Sequence, residues 1–190
     1  MAYAGQIIQN PVSGETIEFV KTAADTNGEL LEIDMTLAAD GHVPGAHIHS
    51  EQEERFEVVS GTMKFRMNGK KIVAGPGETV VVPAGARHKF ANGGDEPAVV
   101  RCEVRPALRM EDLLETTVRL AEEGKTNRKG MPKPVHLALF VGAYEREVRA
   151  PFPPAAPPGF VTRRRRSRAA AAAAAPGAGS SGPRPPRRRA

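Results

Sequence analysis

Short segments in which apolar and polar residues alternate, each bounded by turn residues, fill the chain up to about residue 106. The segments LEIDMTL at 31–37, MKFRM at 63–67 and RCEVR at 101–105 have a period of two, which is typical of a half-buried β-strand. Asn68-Gly69 favours a hairpin turn, because both central positions of a type I′ turn need positive φ. Many short strands at this spacing predict a mainly β fold, either a sandwich or a barrel.

After this region the apolar residues follow helical spacing in two segments, 110–123 and 135–148. The stripes are formed by Leu113, Thr117, Leu120 and Ala121 in the first segment and by Leu137, Phe140, Val141, Tyr144 and Val148 in the second. Such stripes must be covered, so we expect two amphipathic helices that pack on the outside of the β-fold or on a second subunit. We interpret the two helices as scaffold, and their presence favours a homodimer.

The positive charge of the chain is concentrated at its end. The formal charge is +5, yet residues 151–190 hold nine arginines and no acidic residue, while residues 1–150 hold 18 Lys and Arg against 22 Asp and Glu. The end segment is rich in Pro, Ala and Arg and is predicted to be disordered, because it has too little apolar surface to offset the entropy of ordering. With no aromatic residues between the arginines, we do not expect nucleic acid as the partner.

Cysteine content and hydropathy restrict the compartment. Cys102 is the only cysteine, so it cannot form an internal disulfide, and we expect it to be a buried strand residue. No apolar run approaches the roughly 18 residues that a membrane span needs, and the first residues do not resemble a signal segment. We therefore predict a soluble cytoplasmic protein with no membrane partner.

One stretch, GAHIHSEQEERFEVVSG at 45–61, combines histidines with several glutamates. Side chains of a strand share a face only at alternate positions, and a metal ion needs its ligands on one face. His47 and His49 meet this condition. Glu54 shares its face with Phe56 and Val58, the set predicted to point inward, so Glu54 is the glutamate that we select as a ligand.

A second stretch, GETVVVPAGARHKFAN at 77–92, supplies a further histidine. Its Pro-Ala-Gly turn is followed by His88, Phe90 and Asn92 on one face, opposite Arg87 and Lys89. His88 is therefore predicted to enter the same apolar interior. Three imidazoles and one carboxylate suit a divalent first-row ion such as Fe, Mn, Ni, Cu or Zn. His42 and His136 lack such partners and are interpreted as ordinary polar residues.

These two stretches resemble both halves of the cupin signature. The first reads G-x5-H-x-H-x4-E-x6-G from Gly41 to Gly61, and the second reads G-x5-P-x-G-x2-H-x3-N from Gly77 to Asn92. The resemblance implies a cupin jelly-roll β-barrel over residues 5–106, a helical C-terminal extension over 107–150 and a disordered tail over 151–190. It also implies one divalent metal held by His47, His49, Glu54 and His88.

The ligand set is similar to that of the quercetin-dioxygenase-like cupins, which suggests a metal-dependent dioxygenase acting on a small apolar or aromatic substrate. In that reading Glu54 is also a candidate general base. Two alternatives stay open: a non-catalytic cupin that binds a small molecule, and an isomerase or decarboxylase that uses the same metal. A fold that hosts many reactions does not choose between them.

Overall fold

The computed structural model describes residues 1–150, in which nine strands and two helices are formed. The elements are β1 (Ile7–Asn10), β2 (Glu15–Lys21), β3 (Leu31–Leu37), β4 (Glu53–Ser60), β5 (Met63–Met67), β6 (Lys70–Ala74), β7 (Thr79–Val82), β8 (His88–Asn92), β9 (Ala98–Arg105), α1 (Met110–Glu122) and α2 (Pro134–Ala143). The disordered tail predicted for 151–190 lies outside the described residues.

The strands form two antiparallel sheets. The larger has the order β1-β2-β3-β9-β4-β7, and the smaller has the order β6-β5-β8. Together they make a jelly-roll-like sandwich whose interior is filled by the alternating apolar residues, Phe19, Leu31, Phe56 and Val100 among them. The predicted mainly β, jelly-roll fold with two C-terminal helices is confirmed.

Alternation along β4 places one glutamate inside. Glu54, Phe56 and Val58 are buried, while the residues between them are exposed. β4 is central in its sheet, pairing with β9 on one side and with β7 on the other. Because the strand is held from both sides, its register and therefore the inward direction of Glu54 are fixed.

Two tight positions depend on glycine. Asn68 and Gly69, at φ 47° and 86°, form the predicted turn between β5 and β6. Gly61 has φ 77°, and a Cβ there would lie 2.7 Å from Cα of Ala98. Both the backbone angle and the space therefore require glycine at position 61, where β4 turns towards the smaller sheet.

The second helix is shorter than its apolar pattern predicts. α2 ends at Ala143, whereas the periodicity continues to Val148. The hydroxyl of Tyr144 donates to the carbonyl of Asp112 in α1 at 3.0 Å, and the backbone of Arg149 pairs with that of Ile48 at 2.8 and 3.1 Å. This pairing demands an extended chain, so the helix stops before it. Within residues 1–150, neither helix is long and apolar enough to cross a membrane.

Candidate metal centre

The structure brings the four predicted ligands together inside the sandwich. His47 and His49 lie in the segment before β4, Glu54 lies on β4, and His88 begins β8. One ligand atom from each residue falls within 4.8 Å of all the others. Backbone hydrogen bonds of 2.9 Å in both directions between His47 and His88 tie the two signature halves to each other. The cluster is therefore close enough to hold one metal ion.

All three imidazole rings are oriented by hydrogen bonds from Nδ1 to backbone carbonyls. His47 bonds to Gly45 at 3.0 Å, His88 bonds to Ala86 at 3.1 Å, and His49 bonds to the carbonyl of Glu147. A carbonyl oxygen only accepts, so each Nδ1 carries the proton and each Nε2 is the atom left for another partner. Such bonds are the usual support of metal-ligating histidines.

The centre of the cluster contains polar atoms without hydrogen-bond partners. Nε2 of His49, Nε2 of His88 and Oε2 of Glu54 are buried and make no hydrogen bond. Glu54 lies 2.8 Å from Nε2 of His88 and 3.4 Å from Nε2 of His49, yet these close pairs do not align as hydrogen bonds. Buried polar atoms left in this way cost free energy. A cation among them would satisfy all three, so the residues fit a metal ion.

The electrostatic surroundings of the cluster shift the pKa values of Glu54, His47 and His88. Burial opposes the charge of Glu54, but the neighbouring histidines outweigh it and lower its pKa to about 2. Burial and the other two histidines lower the pKa of His47 to about 3, so this ring is neutral. Burial also lowers the pKa of His88, but the adjacent Glu54 carboxylate reverses the effect and raises it. A cation bound at Nε2 would compete with protonation of His88.

A cavity of about 250 Å³ lies beside the cluster. Its walls are mainly apolar and come from three parts of the chain: the sandwich interior, the loops at 43–47 and 130–132, and the two helices. Phe90 and Cys102 line it from the strands, and Leu137 and Phe140 line it from α2. Phe56 on β4 and Phe65 on β5 do not line this cavity and pack in the core instead.

The C-terminal extension contributes to the site, which the sequence did not reveal. The carbonyl of Glu147 orients His49, and the buried Glu147 side chain accepts a hydrogen bond of 3.0 Å from the backbone N–H of Arg109 at the start of α1. The only signal in the sequence was the apolar stripe that continues to Val148, which we interpreted as scaffold. The partner of His49 is 98 residues away, so no local pattern could identify it.

Glu15 is a second carboxyl group in the cavity that the sequence did not single out. It shares the inward face of β2 with Ile17 and lies opposite the buried Asn10 of β1, which lines the same cavity. Burial raises the pKa of Glu15 to about 7, although a hydrogen bond from Ser13 opposes the shift. Near neutral pH this carboxyl group is therefore able both to donate and to accept a hydrogen bond.

The remaining polar predictions are also resolved. His42 bonds to the carbonyl of Asp40 at 2.9 Å, and neither it nor His136 belongs to the cluster. Asn92 donates to three backbone carbonyls, including that of Leu37 at 3.2 Å, and so stabilises the end of β8. Cys102 is buried and unpaired among the described residues, and burial raises the pKa of its thiol, so it is an inert strand residue.

The jelly-roll-like sandwich and its cluster of three histidines and one glutamate point to a class of protein. Comparison with known families identifies that class. Residues 33–104 match the family model described as "Cupin domain", so this part of the chain is a cupin domain. The matched region includes all four residues of the cluster. The match is to the cupins as a whole and does not single out the quercetin-dioxygenase-like branch. No curated protein matches the chain.

Solved structures of similar fold come from several bacteria. KdgF from Halomonas sp. is 17% identical, with a TM-score of 0.48 over 55% of this chain and 91% of that one. A protein described as a predicted oxalate decarboxylase from Thermotoga maritima is 19% identical, with a TM-score of 0.48 over 54% and 92%. A sugar phosphate isomerase of the cupin superfamily from Silicibacter pomeroyi is 21% identical, with a TM-score of 0.44 over 50% and 60%. Similarity at this level does not assign an activity to the chain.

Proposed function

We propose that the protein binds one divalent first-row transition metal ion through His47, His49, Glu54 and His88. The observation that carries this proposal is the orientation of the rings. Three Nδ1 atoms are bonded to backbone carbonyls, which leaves three Nε2 atoms and an ionised carboxylate for one ion. Donor sets of imidazole and carboxylate suit Fe, Mn, Ni, Cu and Zn.

The ligand that we propose for the adjacent cavity is small and mostly apolar or aromatic. Its apolar body would be held by the walls that Phe90, Leu137 and Phe140 form. A polar substituent would be bound by the Glu15 and Asn10 pair, since these residues supply both donor and acceptor groups in the same cavity. The walls would also exclude water from the cluster.

The reaction that we propose is a metal-dependent dioxygenation of this ligand. When bound, the metal would supply Lewis-acid and redox chemistry at a coordination position that the four residues leave free. The chain's own residues would hold the substrate against the cluster and keep the three rings in one orientation. Glu54 as general base remains a prediction, and its pKa of about 2 favours the role of ligand, because so weak a base accepts a proton poorly.

Oxygen consumption tests the proposed reaction. We expect protein reconstituted with Fe(II), Mn(II) or Ni(II) to consume oxygen with at least one member of a panel of phenols and diketones. An oxygen electrode measures the rate, and Glu54→Gln protein treated in the same way is the control that should lose it. If no metal form consumes oxygen, the proposed dioxygenase activity is wrong. Loss of substrate without oxygen consumption would instead favour the isomerase or decarboxylase. Ligand binding without turnover would favour the non-catalytic cupin.

We also propose that the protein is a homodimer. Apart from His136, α2 consists of apolar and small residues, none of which is buried, and Val135 and Leu139 are 71% and 67% exposed. A helix of this kind is normally covered, and a second copy would cover it. The cytoplasmic location predicted from the sequence stays a prediction.

Light scattering tests the dimer. We expect a molar mass of two chains for the protein and of one chain for Leu139→Glu, because a buried unpaired carboxylate disrupts an apolar interface. Val73→Glu, which changes an exposed apolar residue on β6 instead of α2, should remain dimeric. A monomer in all three samples would contradict the dimer.

A further inference from the structure

The outer surface of the smaller sheet carries four exposed basic side chains. Lys64 and Arg66 are on β5, Lys71 is on β6, and Lys89 is on β8. We call these four residues the basic face. Strand parity separates it from the metal cluster, because Lys89 points outward while its neighbour His88 points into the sandwich.

Three of these cations stand in one row across the sheet. Arg66 is the direct register partner of Lys71 on one side and of Lys89 on the other, and neighbouring strands lie about 4.8 Å apart. Lys64 is two residues from Arg66 on the same strand and the same face. Like charges directly opposite each other destabilise a sheet. The row is therefore an arrangement that folding alone does not favour.

No acidic side chain neutralises this row. Among residues 1–150, none of the four cations has a carboxylate partner, and β5, β6, β8 and the turn at 68–69 contain no Asp or Glu. On the larger sheet, by contrast, a basic side chain does have a carboxylate partner. There Arg101 pairs with Asp34 at 2.8 Å. Because residues 1–150 carry more acids than bases overall, the unpaired cations are a local feature of one surface.

The basic face lines a groove of about 560 Å³. His42, Pro44 and the exposed Lys129 border the groove beside β8, and the exposed Val73 adds apolar surface next to Lys64. This volume is within the range of small-molecule sites, roughly 300–1,000 Å³. A nucleic acid site without sequence preference usually offers exposed aromatic rings for stacking, but Phe65 and Phe90 face the core here.

We propose that this groove is a second binding site, for a small ligand that carries several phosphate groups. The guanidinium of Arg66 is suited to two phosphate oxygens at once, and Lys71 and Lys89 beside it supply point charges. A multiply charged anion would also relieve the repulsion along the row. The site is separate from the metal cluster and does not depend on the proposed reaction.

Titration calorimetry with inorganic tripolyphosphate tests the groove in the full chain. We expect the double variant Arg66→Gln, Lys71→Gln to bind tripolyphosphate at least about tenfold more weakly than the unsubstituted protein, since each charged hydrogen bond contributes about that factor or more. The matched control is Arg55→Gln, Arg105→Gln, which removes the same charge from the larger sheet and should bind as before. Because the arginines at 163–189 are present in all three proteins, their contribution cancels.

Amide chemical shifts locate the binding. On adding tripolyphosphate, we expect shifts along β5, β6 and β8, and these should be absent in the double variant of the groove. The double variant should also unfold at no lower temperature, because it removes like-charge repulsion. Equal weakening in both double variants, or shifts confined to residues beyond 150, would overturn the proposal. So would equally tight binding of citrate, or much tighter binding of a single-stranded oligonucleotide.

Discussion

Replacing His88 by alanine is expected to leave the protein without bound metal. His88 is fully buried, its Nε2 lies 2.8 Å from the Glu54 carboxylate, and β8 holds its backbone against His47. Losing one of the four candidate ligands also leaves the Glu54 carboxylate buried with less compensation. Loss of an outer partner of a ligand already costs 10- to 100-fold in affinity, so loss of the ligand itself should cost roughly 100-fold or more. Elemental analysis of protein purified without added metal measures the effect.

Two controls separate metal loss from misfolding. His42→Ala removes a histidine that lies outside the cluster and should keep the metal content of the unsubstituted protein. Glu54→Gln changes the charge of a candidate ligand with almost no change in volume, so it should lose the metal while its core packing is preserved. Thermal unfolding of each variant reports on the fold. If the unsubstituted protein and His88→Ala contain equally little metal under every loading condition, the metal site is wrong.

Strand parity is the reason that the four candidate ligands could be predicted from the sequence. Glu53, Glu54 and Glu57 are chemically alike, but alternation with Phe56 and Val58 selects Glu54, and the structure buries only that one. The same rule sends His88 inward and Lys89 outward. Period-two patterns are local, and a residue's face follows from its immediate neighbours.

Contacts between distant segments could not be predicted in this way. The carbonyl that orients His49 belongs to Glu147, and a backbone atom has no residue-specific signal in a sequence. The cavity residue Glu15 likewise becomes visible only when β2 pairs with β1 and β3. The basic face could not be predicted from the sequence for a related reason. Its cations alternate with core residues along β5, and only the register shows that Arg66, Lys71 and Lys89 form a row.

The end of α2 shows how tertiary contacts override a periodic pattern. Helical spacing continues to Val148, yet the chain leaves the helix at Tyr144. The Tyr144 hydroxyl bonds to the α1 backbone, and Arg149 pairs with Ile48 next to two of the candidate ligands. The backbone pairing of Arg149 with Ile48 cannot form from a continuous helix. The apolar spacing therefore identified residues that pack against the fold, since Tyr144 is buried and Phe140 and Val148 are partly buried, but it did not identify the conformation of the segment.

Removing the segment after Tyr144 is expected to weaken metal binding by about 10- to 100-fold, as loss of an outer partner of a ligand usually does. A chain that ends at residue 144 lacks the Glu147 carbonyl that orients His49 and the Arg149 backbone that pairs with Ile48. A chain that ends at residue 150 keeps both and is the matched control, since both chains lack 151–190. Competition with a chromogenic chelator measures the two affinities.

The comparison also separates two roles of the C-terminal segment. If it acts only as a cover over the cavity, the shorter chain should bind metal as tightly as the control, and only the exchange of the metal with solvent should become faster. If it holds the His49 ring in place, the equilibrium affinity itself must fall, because Nε2 of His49 would no longer be directed at Glu54. The hydrogen bond from His49 Nδ1 to Glu147 favours the second result. Equal affinities in the two chains would show that His49 is oriented without this carbonyl.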